Sequence, residues 1–169
     1  RASSLEAIGY ANKTLGKGKL NMILAGGMEA PVTPYALLCC NTYGGLSTDN
    51  EHPENAYRPF DKEKSGFVIG EGAGIMVLES AKRAKKRNAN IMATISGYAS
   101  TCDAVNRINP DPQGKELARA IKLALERAKT NPEDIDYISL DGLALDLWDN
   151  TEAKAIKEVF GTKAKDIPA

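Results

Sequence analysis

The side chains that most often carry nucleophilic, proton-transfer or metal chemistry are sparse in this sequence. Its single histidine, His52, lies in the polar stretch Asp49-Asn50-Glu51-His52-Pro53. A metal site or a general base built from several histidines is therefore not available within these residues. Three cysteines, Cys39, Cys40 and Cys102, cannot all pair within the chain, and none has a CxxC or zinc-ligand spacing. A reducing cytoplasm is the setting that usage implies. Cys39 and Cys40 follow Leu37 and Leu38 and read as buried structural thiols. Cys102 stands beside Asp103 with no adjacent histidine or lysine to lower its pKa, which argues against a nucleophile there. His52 reads as an exposed loop residue with no task.

Two glycine clusters invite a nucleotide reading. Gly70-Glu71-Gly72-Ala73-Gly74 lacks GxGxxG spacing and runs into an apolar strand, residues 75–78, where a phosphate loop would open a helix. It reads as close backbone passage. Gly26-Gly27 ends a strand and says nothing alone. The run Lys82-Arg83-Ala84-Lys85-Lys86-Arg87 reads as a solvated helix face, or as steering charge for an acidic partner. The chain has 169 residues, 22 basic and 22 acidic, and that zero net charge removes the electrostatic case for nucleic acid. No apolar run approaches the ~18–20 residues needed to cross a bilayer, so no membrane partner is expected.

The elements around these residues alternate. Leu5, Ile8, Ala11 and Leu15 recur at helix spacing before Gly16 and Gly18. Ser3 followed by Glu6 predicts a capping box that starts this helix at about residue 4. Residues 21–25 read as a buried strand, 35–43 as a short helix and 44–65 as a polar surface loop. Residues 66–79 read as strand, glycine passage, strand; 80–88 as a basic helix; 91–100 as a strand. Leu117, Ile121, Leu125 and Ala128 put an apolar face on a helix over 114–129. A turn at 131–134 precedes a short buried strand, 135–140, and Thr151 is predicted to cap a last helix through Val159 that Gly161 ends. Strands alternating with helices predict an α/β fold. Residues 166–169 look like the start of a strand without a partner, so the chain reads as incomplete at both ends.

In collinear order, the segments resemble the β-ketoacyl-acyl-carrier-protein synthases, the condensing acyltransferases of fatty-acid and polyketide assembly. The resemblance rests on Ala2-Ser3-Ser4-Leu5-Glu6-Ala7-Ile8, on Gly26-Gly27-Met28-Glu29-Ala30-Pro31 with Thr33-Pro34, and on Leu46-Ser47-Thr48. It continues through Arg58-Pro59-Phe60-Asp61, residues 66–74, Pro110-Asp111-Pro112 and residues 151–157. It implies a thiolase-like fold of αβαβα layers in two similar halves, with this chain as the middle portion. About 1–80 would end the N-terminal half and about 90–169 begin the C-terminal half. Phe67, inside the glycine-rich frame, is implied to be a substrate-binding position.

The departures from that family are local. Arg1 stands at the position of its nucleophilic cysteine, just ahead of a helix N-terminus whose dipole would favour a thiolate. A guanidinium cannot attack a thioester. Asp141-Gly142-Leu143-Ala144-Leu145 replaces the family's HGTST motif. There the histidine polarises the malonyl thioester and the two threonines bind the phosphopantetheine arm. Asp141 would repel a developing enolate, and Leu143 and Leu145 have no hydroxyl. Asn106 occupies a further histidine position of a DAYH stretch. The family's second catalytic histidine and its lysine would lie beyond Ala169.

Loss of chemistry with retention of frame resembles the chain-length factors of type II polyketide synthases, subunits that pair with an active ketosynthase. Arg1 departs from these too, since glutamine is usual there. The resemblance implies a heterodimer with an active ketosynthase, an acyl carrier protein that brings the thioester, and no metal or organic cofactor. The basic helix over 82–87 is one candidate contact for that carrier. Arg1 and Asp141 are expected to meet as a charge-assisted pair in the vacated site. Two alternatives remain: a working β-ketoacyl synthase, and a scaffold homodimer without catalysis.

Overall fold

A computed structural model describes residues 2–169; Arg1 lies outside the described residues. Helix α1 (Ser3–Gly16) leads into strand β1 (Met22–Glu29) and helix α2 (Pro34–Tyr43), and a long loop then runs to strand β2 (Gly72–Glu79). Helices α3 (Ala81–Lys86), α4 (Lys115–Ala128) and α5 (Asp146–Phe160) follow. Short 3-10 turns lie at Pro53–Asn55, Pro132–Asp134 and Gly161–Lys165.

β1 and β2 form an antiparallel ladder from Met22 opposite Glu79 to Glu29 opposite Gly72. Strand alternation divides β1 into two faces. Ala25 is buried and Ile23 and Gly27 are partly covered on one face, while Met22, Leu24 and Met28 are exposed on the other. α1 packs on β1, and Gly27 allows the approach: a Cβ there would overlap the Ser4 hydroxyl. β1 is thus a half-covered strand that continues through both glycines, where a buried strand ending at them was expected.

α4 and α5 form the other packed unit. Ala118 and Ala155 are fully buried, and these small side chains let the two helices approach closely. Lys122 pairs with Glu158 at 2.5 Å, and Lys154 donates to the Pro112 carbonyl at 2.7 Å.

Several expectations need correction. α1 starts at Ser3, so the N-cap is Ala2, which has no side-chain acceptor, and Glu6 accepts from the Ser100 hydroxyl. Thr151 lies inside α5, which begins at Asp146 with Asp146 and Asp149 in its first turn; acidic groups there complement the helix dipole. The Thr151 hydroxyl bonds the Asp111 carbonyl instead. Residues 91–100 and 135–140 carry no ladder. A strand is stabilised by a neighbour's amides and carbonyls, and among the described residues β1 and β2 supply them only to each other. Ile138 makes one such bond, to the Pro168 carbonyl at 3.0 Å, so the partnerless tail does find a contact. The close passage expected at residues 70–74 falls on the opposite strand: space beside Gly70, Gly72 and Gly74 is open, whereas a Cβ on Gly26 would overlap the Gly74 carbonyl. Cys39 is exposed and Cys40 half-buried, since no residue of α2 is buried.

Candidate functional site

A groove of about 810 Å³ opens where the start of α1 meets the end of the β1–β2 ladder. Ser3, Ser4, Glu29 and Asp141 are its polar lining. Met28, Pro31, Cys40, Phe67, Ile69 and Leu143 give it apolar walls. A second groove of about 550 Å³, between α1 and β1, is lined by Ala7, Tyr10, Ala11 and strand residues such as Ile23 and Ile75. It offers no carboxylate or thiol, so the chemistry belongs to the first.

Asp141 is placed by its backbone. The Glu152 carboxylate, one turn into α5 beyond Asp149, accepts the N–H of Asp141 at 2.8 Å and that of Gly142 at 3.0 Å. The Tyr57 hydroxyl donates to the Gly142 carbonyl from the other side. Gly142 has φ of 49°, in the left-handed region that favours glycine, and a Cβ there would sit 3.1 Å from Pro59. Pro59 is followed by Phe60, whose N–H donates to the buried Asp149 at 2.7 Å. Lys64 pairs with Asp146 at 2.8 Å; that hydrogen bond, reinforced by the charges of Asp146, Asp149 and Asp61 and opposed by desolvation, raises the lysine above its ordinary value. The loop over 57–64 is therefore fastened to the start of α5, with the Asp141-Gly142 turn held between them.

Phe67 is placed just as locally. Its N–H donates to the Gly45 carbonyl at 2.8 Å, its carbonyl accepts from Ser47 at 3.0 Å, and it bridges Leu46. That single bridge replaces the strand expected over residues 66–69.

The structure brings Phe67, Asp141 and Leu143 together on one groove with the first residues of α1. It does not bring Leu145 there: Leu145 is the half-buried residue that precedes α5. Arg1, the substituted nucleophile position, lies outside the described residues. Asn106 has a structural task, its side-chain oxygen accepting from Ile108 at 2.8 Å and Asn109 at 3.0 Å. His52 is exposed in the polar loop and does not line the groove. The sequence reading missed Cys40 and Met28 on the walls and Tyr57 as a support. A pattern signal existed for Glu152, which lies 11 residues beyond Asp141 in the retained segment 151–157. None existed for Tyr57.

Chemically, the groove offers apolar walls for an extended chain and a polar lining of two hydroxyls and two carboxylates, Glu29 and Asp141. Among the described residues, no imidazole stands beside its thiol, Cys40, so no thiolate–imidazole pair is assembled here. Groove and layered elements together define a ketosynthase-like α/β protein.

The comparisons identify the family. Residues 1–84 match the β-ketoacyl synthase N-terminal domain and residues 92–169 the C-terminal domain. The chain belongs to the β-ketoacyl synthase family, and its fold is the thiolase-like α/β fold of the ketosynthases. It is 38% identical over 166 residues to a putative polyketide β-ketoacyl synthase 1 of Streptomyces cyaneus, covering 98% of this chain and 39% of that protein. The chain thus spans about two fifths of the length of the curated relatives it matches. A type II polyketide ketosynthase, solved with its acyl-carrier protein and bound to a hexaketide, superimposes with a TM-score of 0.95 at 39% identity, over 99% of this chain and 41% of that one. The ishigamide ketosynthase/chain length factor superimposes with a TM-score of 0.85 at 36% identity, over 95% of this chain and 40% of that one.

Proposed function

We propose that the chain belongs to a ketosynthase-like subunit that does not itself condense acyl chains. It acts as the chain-length-factor partner of an active β-ketoacyl-acyl-carrier-protein synthase in polyketide or fatty-acid assembly. The observation that carries this reading is Asp141 on the groove, where the family places a histidine. The decarboxylation step needs a donor facing the developing enolate oxygen. A carboxylate supplies acceptors and negative charge instead. Leu143 extends the apolar wall at a position where the family has a hydroxyl for the carrier arm. Likeness to the ishigamide ketosynthase/chain length factor supports membership of such a pair.

Arg1 and Asp141 form an opposed pair in this reading. Side chains more than about 6 Å apart in a crystal structure, each with another partner, would remove that part of it. The two halves meet between about residues 80 and 90. The subunit works in the cytoplasm, calls for no metal or organic cofactor of its own, and meets substrate on an acyl carrier protein. The exposed Lys82, Lys85 and Lys86 of α3 are its candidate contact for the acidic carrier, since Glu79 already engages Arg83 and Arg87.

Acyl transfer decides the reading. The full-length protein is incubated with labelled acyl-carrier thioester, alone and after co-expression with an active ketosynthase. We expect no covalent acyl group on this subunit and co-purification with the ketosynthase. Acylation of this subunit would establish a working synthase. A homodimer that never captures a ketosynthase would establish a scaffold.

A further inference from the structure

The segment over 97–100 lies between two helices. On one side a Cβ on Gly97 would overlap the Ala124 carbonyl and stand 2.9 Å from the Ala128 side chain, so the segment runs directly against α4. On the other side the Tyr98 ring covers buried Gly9 of α1, where any Cβ would overlap it. Arg127, in the last turn of α4, donates to the Tyr98 carbonyl at 2.7 Å and fixes the backbone that carries the ring. α1 belongs to the residues that match the N-terminal domain; the segment and α4 belong to those that match the C-terminal domain.

The same segment holds the first turn of α1. Glu6, in that turn, accepts from the Ser100 hydroxyl and from the Tyr98 hydroxyl. Ser100 first and Tyr98 second hold the Glu6 carboxyl below the ordinary carboxylate range, against desolvation. Burial first, and then the Glu6 carboxylate, push the Tyr98 phenol up, with Ser100 opposing. Glu6 and Gly9 are three residues apart and so neighbours on the helix surface. A ring seated on a glycine is a steric stop, and two hydrogen bonds to one carboxylate are a directional one. Ser3 precedes Glu6 by one turn and lines the groove, as does Ser4, against whose hydroxyl Gly27 of β1 is packed.

We propose that Tyr98 and Ser100 are positioning residues for the groove. Through Glu6 and Gly9 they set the rotation and axial register of α1, and with it where Ser3 and Ser4 stand on the polar lining. One domain's segment thus places the groove residues that the other domain supplies. This goes beyond the proposed activity and holds whether or not the subunit condenses acyl chains.

Ser3→Cys in the full-length protein puts a thiol on the lining, while native Cys40 reports on another wall of the same groove. Iodoacetamide labelling of both positions is followed by peptide mass spectrometry in one sample, with exposed Cys39 as the measure of reagent. Adding Tyr98→Phe removes the hydroxyl and keeps the ring over Gly9. It should speed labelling at position 3 about threefold, and adding Ser100→Ala as well about tenfold, the scale of one and two hydrogen bonds. A first turn released from these hydroxyls exposes that thiol more of the time. Cys40 should stay within about twofold of its parent rate, because α2 supplies it. Unchanged labelling at position 3 in both variants overturns the proposal. So does equal acceleration at Cys40, which marks general loosening and not movement of α1. If the combined variant does not fold, Tyr98→Phe alone decides.

Discussion

The Glu152 carboxylate holds Asp141 by its backbone, taking the N–H of Asp141 on one oxygen at 2.8 Å and the N–H of Gly142 on the other at 3.0 Å. Both oxygens are needed, because two successive amides point at them. Glu152→Gln keeps one acceptor and turns an NH2 group toward the second amide. The expected cost is about 1–2 kcal/mol, the range for a donor left without its acceptor. Urea unfolding of the full-length protein measures it, and an unchanged midpoint would show that the turn is held by other means.

Two glycines of α1 should respond oppositely to the same substitution. Alanine favours a helix over glycine by about 1 kcal/mol. At Gly16 nothing lies near an added Cβ, so Gly16→Ala should stabilise by about 0.5–1 kcal/mol. At buried Gly9 the methyl group would overlap the Tyr98 ring. Gly9→Ala should therefore destabilise by about 1–3 kcal/mol despite the better helix propensity. Thermal unfolding of both variants against the parent protein checks the reversal of sign.

The contrast at these glycines shows what was legible in the sequence. Apolar spacing in α1 and α4 and the basic run of α3 are local signals, and the elements stand where those signals put them. Tyr98 lies 89 positions from Gly9, and no local pattern announces that contact. Ser3 and Thr151 are not caps because the helices begin at or before them, after Ala2 and Leu145, and Glu6 and the Thr151 hydroxyl bond distant groups, Ser100 and Asp111. At the groove, Phe67, Asp141 and Leu143 were legible through the family frame. Leu145 was placed by analogy with a threonine two residues after Leu143, but the chain turns between them. Ala144, at φ of 57°, redirects the backbone into α5. Cys40, Met28 and Tyr57 belong to segments whose convergence only tertiary packing decides.

Stability should fall in acid partly through Glu79. The Arg87 hydrogen bond, with the charges of Arg87 and Arg83, holds this carboxyl below the ordinary carboxylate range against an opposing desolvation effect. A carboxylate lowered in the folded state binds fewer protons there than in the unfolded chain. Its contribution is present above the unfolded value and is lost as pH falls through the folded one. Glu79→Gln should flatten the stability curve as pH falls below about 5, with a residual slope from Glu6, which the Ser100 hydroxyl holds low in the same sense. Denaturant midpoints across that range test it, and parallel curves for parent and variant would assign the acid sensitivity elsewhere.

Two substitutions should separate the steps of the proposed lost chemistry. Arg1→Cys in the full-length protein restores a thiol at the family's nucleophile position, ahead of the helix that starts at Ser3, and should allow acyl transfer from a carrier thioester. It should not restore condensation, because Asp141 still faces the groove with acceptors only. Adding Asp141→His returns a donor for the enolate oxygen. Removing one such donor typically costs an enzyme about 10²–10³ in rate, and decarboxylation of a malonyl thioester by the double variant should exceed that of Arg1→Cys by a similar factor. Glu152 and Tyr57 hold the turn through the backbone of 141–142, so they should hold a histidine turn as they hold the aspartate. Labelled carbon dioxide release measures the second step, and covalent labelling measures the first. Equal decarboxylation by the single and double variants would show that Asp141 is not what silences the site.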